Sequence, residues 1–143
     1  MKKLLVSLLI PFSMTSFAAD FTKEIEARQD GFQIVKDNVE MAGEMFESGA
    51  IDWALLATYG KNLSNASGSL KNFFPEGSQE GSNAKSAVWK SNDKFMMGLD
   101  KLNTSFEQFY AAAQNQDKGA AMAAFDEATG TCKACHRKFR VKK

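Results

Sequence analysis

Apolar side chains recur along this chain in alternating steps of three and four. Between residues 22 and 47 the series Ile25, Arg28, Phe32, Val35, Val39, Ala42 and Phe46 falls on one stripe of a helix, with one charged member. Residues 52 to 73 repeat the step through Leu56, Tyr59, Leu63, Ala66, Leu70 and Phe73. A third segment carries Val88, Asn92, Phe95, Leu99, Leu102, Phe106, Phe109 and Ala113, and a fourth carries Met122, Phe125, Thr129, Cys132, His136 and Phe139. No stretch alternates with period two for long enough to form a strand. The breaks lie at "FFPEGSQEGSN", residues 73 to 83, and at Asn115 to Gly119, where proline, glycine and small polar residues favour turns. Four amphipathic segments with short connections predict an all-α, antiparallel up-down four-helix bundle, with the 74 to 83 loop joining the second and third helices.

The first residues, MKKLLVSLLIPFSMTSFAAD, have another logic. Two lysines, an apolar run from Leu4 to Ile10 and small residues at Ser16 and Ala18 read as a secretory signal peptide over 1–18. Cleavage before Ala19 or before Asp20 both fit, and 19–143 is taken as the mature single domain. The expected product is soluble and periplasmic, because the apolar run is too short to span a bilayer and nothing later replaces it. Without Lys2 and Lys3, 16 basic residues stand against 17 acidic ones, a balance that argues against nucleic-acid binding. The basic tail Arg137, Lys138, Arg140, Lys142 and Lys143 suits a helix C-terminus.

Both cysteines and the single histidine sit within "CKACH", residues 132 to 136. On a helix, Cys132, Cys135 and His136 share a face, and the stripe turns that face inward. A Cys132–Cys135 disulfide would close a very small loop, add little stability and leave His136 unexplained. A redox C-x-x-C is expected beside a strand in a βαβ unit, which this chain lacks. A zinc site would need further ligands that no other Cys or His supplies. The remaining chemistry is covalent haem attachment, for which C-x-x-C-H is the signature. Two thiols add to the two porphyrin vinyl groups, and the adjacent imidazole reaches the iron. One haem c per chain is expected.

A bundle with C-x-x-C-H in its last helix resembles cytochrome c′ and its low-spin relative cytochrome c-556. "EARQDGF" looks like that family's R-Q-x-x-hydrophobic element, "FPEGSQEGSNAKSAVW" is similar to its loop leading to a tryptophan, and "CKACHRKFR" matches C-x-x-C-H-x-x-aromatic-R, with phenylalanine where tyrosine is common. The resemblance implies that Cys132 and Cys135 are the thioether attachment points and His136 is the proximal iron ligand. It also implies that Arg28 and Gln29 contact the haem propionates, Arg28 through a charge-assisted bond. Ser78 and Gln79 stand where the family has Thr and Glu beside the haem edge, and Arg140 would flank the proximal face.

The position four residues after the family's arginine lies over the distal face, where low-spin relatives place a ligating methionine; here it is Phe32. Phenylalanine has no lone pair to donate. Met41 and Met45 lie about 13 to 20 Å further along the helix at 1.5 Å per residue. Met96, Met97 and Met122 read as core filler, and Lys36 lies one turn from Phe32 off the stripe. The expectation is a five-coordinate, high-spin iron with an apolar distal pocket. Single-electron transfer with redox partner proteins is the leading function and nitric oxide or carbon monoxide binding the alternative. No enzymatic activity is expected, because neither a second histidine nor a paired carboxylate stands near the haem in this reading. The resemblance further implies a homodimer through the first two helices, with Ala42, Gly43 and Ala50 allowing close approach.

Overall fold

The computed structural model describes residues 20 to 142. The expected signal peptide lies outside the described residues. Helix α1 runs Thr22–Ser48, α2 Trp53–Leu70, α3 Ala87–Lys90, α4 Asn92–Gln114 and α5 Lys118–Phe139. The four long helices form the antiparallel bundle, in which α2 packs on α1 and α4, and α4 packs on α5.

The ends of these helices follow from local chemistry. Gly49 closes α1 in the left-handed region at φ 72°, where its N–H reaches the Phe46 carbonyl at 3.2 Å, a conformation that glycine adopts without strain. Asp52 and Asp117 each accept a hydrogen bond at 3.0 Å from a first-turn backbone N–H, of Leu55 and Ala120 respectively, so each caps its helix. Gly60 lets α2 and α4 approach closely, since a Cβ there would stand 2.8 Å from the Tyr110 Cα.

The expected stripes on α1 and α4 match the observed cores. Val35 and Ala42 are buried on α1, and Phe95, Leu99, Leu102, Phe106, Phe109 and Ala113 on α4. Three features differ from expectation. The second helix ends at Leu70 and passes into a single 3₁₀ turn, Lys71–Phe73. The third segment is two helices, with Ser91 at φ −126° and ψ 46° between them; Val88 is buried all the same. On α5 the buried residues are Ala121, Ala124, Ala128 and Phe139, so the core face is rotated from the expected Met122–Phe125–Thr129 line, and Met122 is exposed. Ala121, Ala124 and Ala128 carry the same three-four spacing, and alanine lets α5 lie close on α4.

Apolar side chains gather in two clusters. One contains Leu56, Leu63, Phe106 and Phe109, with Phe46 and Phe125 packed on it. The other contains Leu70, Phe74, Val88, Phe95, Leu99 and Phe139, and this second cluster borders a cavity. Among the described residues no helix is long and apolar enough to cross a membrane.

Candidate functional site

A cavity of about 500 Å³ opens between α1 on one side and α4 and α5 on the other. Its floor is a run of edge-to-face aromatic rings. Phe32 meets Phe74 at 6.4 Å between centroids, Phe74 meets Phe95 at 4.7 Å, and Phe95 meets Phe139 at 5.2 Å. Val35, Val88, Leu99 and Leu102 complete the apolar wall. Volume and lining suit a large, mostly apolar ligand fixed by a few polar groups.

Cys132, Cys135 and His136 all face this cavity from α5, as the i, i+3, i+4 spacing requires. The cysteines are half-buried free thiols and His136 is exposed at the cavity wall, so the histidine is not packed into the core. Burial pushes both thiols above their ordinary value, and for Cys135 the neighbouring Cys132 adds to the effect. Partial burial, followed by the positive charge of Arg140, holds His136 below the usual imidazole range. At neutral pH the imidazole is therefore neutral, the form that has a lone pair for a metal. Among the described residues no group of three or more His, Cys, Asp or Glu side chains could hold a metal ion by itself. Two free thiols and a neutral imidazole on one wall of an apolar slot are the donor set that haem c requires, and these residues fit it.

Arg28 is almost fully buried, at 3% exposure. It donates from Nη1 to the Phe73 carbonyl at 3.1 Å and to Ser78 Oγ at 2.9 Å, and from Nη2 to the Ser78 carbonyl at 2.6 Å. Its guanidinium stands 4.8 Å from the Phe74 ring centroid and 5.9 Å from that of Trp89. Loss of hydration lowers its pKa, and the bonds and ring faces replace the missing water. Arg28 therefore ties the 73 to 78 segment to α1 while also lining the cavity. Two further backbone bonds fasten the same loop to the end of α5: Lys85 N–H to the Phe139 carbonyl at 2.8 Å, and Val141 N–H to the Asn83 carbonyl at 2.9 Å.

The structure brings Arg28, Gln29, Phe32, Cys132, Cys135, His136 and Arg140 around one cavity. Ser78 and Gln79 are not on its wall. Ser78 is buried beneath Arg28 and donates to the Pro75 carbonyl at 2.8 Å, whereas Gln79 is exposed. The loop residues that reach the cavity are Ser82, Asn83 and Ala84. Sequence reasoning missed these three and Phe74, because the fold of the loop is set by Arg28, 45 to 50 residues away in the chain. Lys36 also reaches the cavity, with its ammonium 3.2 Å from Glu40 Oε1.

A thiol pair and an imidazole on one wall of a cavity in an antiparallel helical bundle define a bundle-type c cytochrome. The family model for cytochrome c′ matches residues 23–140, and the chain belongs to that family of haem c proteins. It is 30% identical over 121 residues to cytochrome c′ of Rubrivivax gelatinosus, covering 82% of this chain and 94% of the relative. It is 26% identical over 144 residues to cytochrome c′ of Rhodospirillum rubrum, covering 98% of each. In fold it is similar to a ferrous variant of cytochrome c prime from Alcaligenes xylosoxidans solved with bound nitric oxide. That likeness has a TM-score of 0.80 at 23% identity and covers 87% of this chain and 98% of the other.

Proposed function

We propose that the protein is a periplasmic single-electron carrier whose one haem c is bonded through Cys132 and Cys135, with His136 as the sole protein ligand to a five-coordinate, high-spin iron. The haem, when bound, supplies an iron centre that changes valence by one electron. The chain's residues supply the rest. The two thiols anchor the group, the neutral imidazole of His136 binds from the α5 side, and the cationic Arg28 and Arg140 suit carboxylates.

One observation carries the five-coordinate reading: no methionine among the described residues lines the cavity, and α1 contributes Phe32 there. Lys36 and Glu40, which also line the cavity, are engaged with each other at 3.2 Å. The same observation supports the second reading, binding of nitric oxide or carbon monoxide, since a coordination position without a protein donor is open to a small diatomic. The neighbour solved with bound nitric oxide makes that ligand the natural one to test. A non-enzymatic role is part of the same proposal. Peroxidase chemistry needs a mobile distal acid–base group; Phe32 has none, Arg28 is held in place by Phe73 and Ser78, and Lys36 and Glu40 are engaged with each other.

A homodimer through α1 and α2 belongs to this proposal. Of the three small residues expected to allow close approach, Ala42 is fully buried, Gly43 is half-buried and Ala50 is exposed. Ile34 and Met41, exposed two turns apart on α1, and Leu55 on α2 supply apolar area.

The test is an optical spectrum of the purified holoprotein with and without carbon monoxide. A high-spin spectrum that shifts on gas addition is expected. A low-spin spectrum inert to the gas would reject the five-coordinate reading and leave electron transfer alone.

A further inference from the structure

On the outer side of α4 and α5, back to back with the haem cavity, lies a second groove of about 320 Å³. Its rim carries Lys94, Lys101 and Lys138 against a single carboxylate, Glu127. Lys101 is paired with Glu127, while among the described residues Lys94 and Lys138 have no ion-pair partner. The groove exists because two helices each place a glycine there. A Cβ at Gly98 or at Gly130 would meet no atom within 4 Å. Glycine inside a helix is unfavourable relative to almost any other residue, and no packing contact in this fold requires it at these two positions.

Charge along the chain is segregated about this groove. Residues 128 to 142 hold five basic side chains and no acidic one, whereas α1 holds seven acidic against three basic. The near-neutral total thus conceals a positive end on α5 and a negative α1. Gly98, Thr131, Cys135 and Phe139 line the groove and the haem cavity alike. One layer of side chains, including a thioether anchor, therefore separates the groove from the cofactor site.

We propose that this groove is the docking surface for an acidic one-electron carrier protein. The rim lysines steer a carboxylate-rich patch of the partner, and the glycine notch admits a protruding side chain beside Cys135. The proposal rests on the electron-transfer reading above. One electron leaves the ferrous holoprotein and reduces the oxidised partner by one electron, with no proton or atom transferred.

The test is stopped-flow oxidation of the ferrous holoprotein by three probes: ferricyanide, tris(phenanthroline)cobalt(III) and an acidic cupredoxin. Rising salt should slow the two anionic probes and speed the cationic one, because a local positive field is being screened. Lys94→Glu with Lys138→Glu should slow ferricyanide and the cupredoxin about ten-fold, the scale of electrostatic steering, while Lys61→Glu with Lys118→Glu should change neither by more than about two-fold. Gly130→Leu, whose Cβ meets no atom within 4 Å and whose side chain extends into the notch, should slow the cupredoxin and leave ferricyanide unchanged. Equal effects from the two lysine pairs, or an unaffected cupredoxin rate in Gly130→Leu, would overturn the docking surface. If the lysine reversals altered self-association and left the rates alone, the groove would be a contact between copies and the proposal would fail. An unmutated holoprotein that reduces none of the three probes would sink the electron-transfer reading itself, and the docking claim with it.

Discussion

The two halves of this bundle are built from the same materials and end up differently. In the closed half, Phe46, Phe109 and Phe125 meet at 5.4 to 6.2 Å, and Ala112, Ala113, Ala121, Ala124 and Ala128 let the helices come together around them. In the open half, Phe32, Phe74, Phe95 and Phe139 meet at similar distances and angles, yet they border a cavity of about 500 Å³. The difference lies in what spaces the helices. Where alanines line the contact, α4 and α5 close up. Where a loop pinned by a buried arginine forms one end, α1 is held off α5, and the thiols and imidazole face the gap. A hollow core is therefore specified by a polar device, Arg28, as much as by apolar residues.

Four substitutions break or sharpen that contrast, in falling order of effect. His136→Ala should remove the proximal ligand and alter the haem spectrum outright; an unchanged spectrum would exclude the assigned role. In the closed half, Phe106→Ala should cost about 3 to 5 kcal/mol of stability, because a fully buried ring leaves a void that tight packing cannot fill. Denaturant titration of the holoprotein would measure it, with the haem spectrum unmoved. Arg28→Met should cost about 2 to 3 kcal/mol, since charge-assisted bonds to the Phe73 and Ser78 oxygens are lost. The distinguishing result is faster amide exchange at Ser78 and Lys85, which a change in the closed half should not produce. Asp117→Ala, which removes a helix cap far from the cavity, should cost about 1 kcal/mol with no spectral change.

The closed half was readable because large apolar residues at helical spacing are a strong signal; α1 and α4 bury the stripes expected of them. The α5 face was read in part: Phe125 and Phe139 pack as expected, but the buried alanines were passed over because alanine contributes little to an apolar pattern, while Met122, one position away, contributes a great deal. Met122 is exposed all the same. In the open half the chemistry was readable and the architecture was not. Cys132, Cys135 and His136 form a local motif whose geometry a helix fixes. The bond from Arg28 to Ser78 spans 50 residues, and nothing local in "PEGSQEGSN" says that Ser82 to Ala84, rather than Ser78 and Gln79, turn toward the cavity.

The central proposal is that His136 alone binds the iron, α1 placing Phe32 and no methionine at the cavity. Its most direct test is the spin state of the holoprotein beside that of Phe32→Met, followed by optical and electron paramagnetic resonance spectra. The account predicts a high-spin parent that binds carbon monoxide and a variant shifted toward low spin. A parent already low-spin and inert to the gas, or a variant indistinguishable from a high-spin parent, would contradict it.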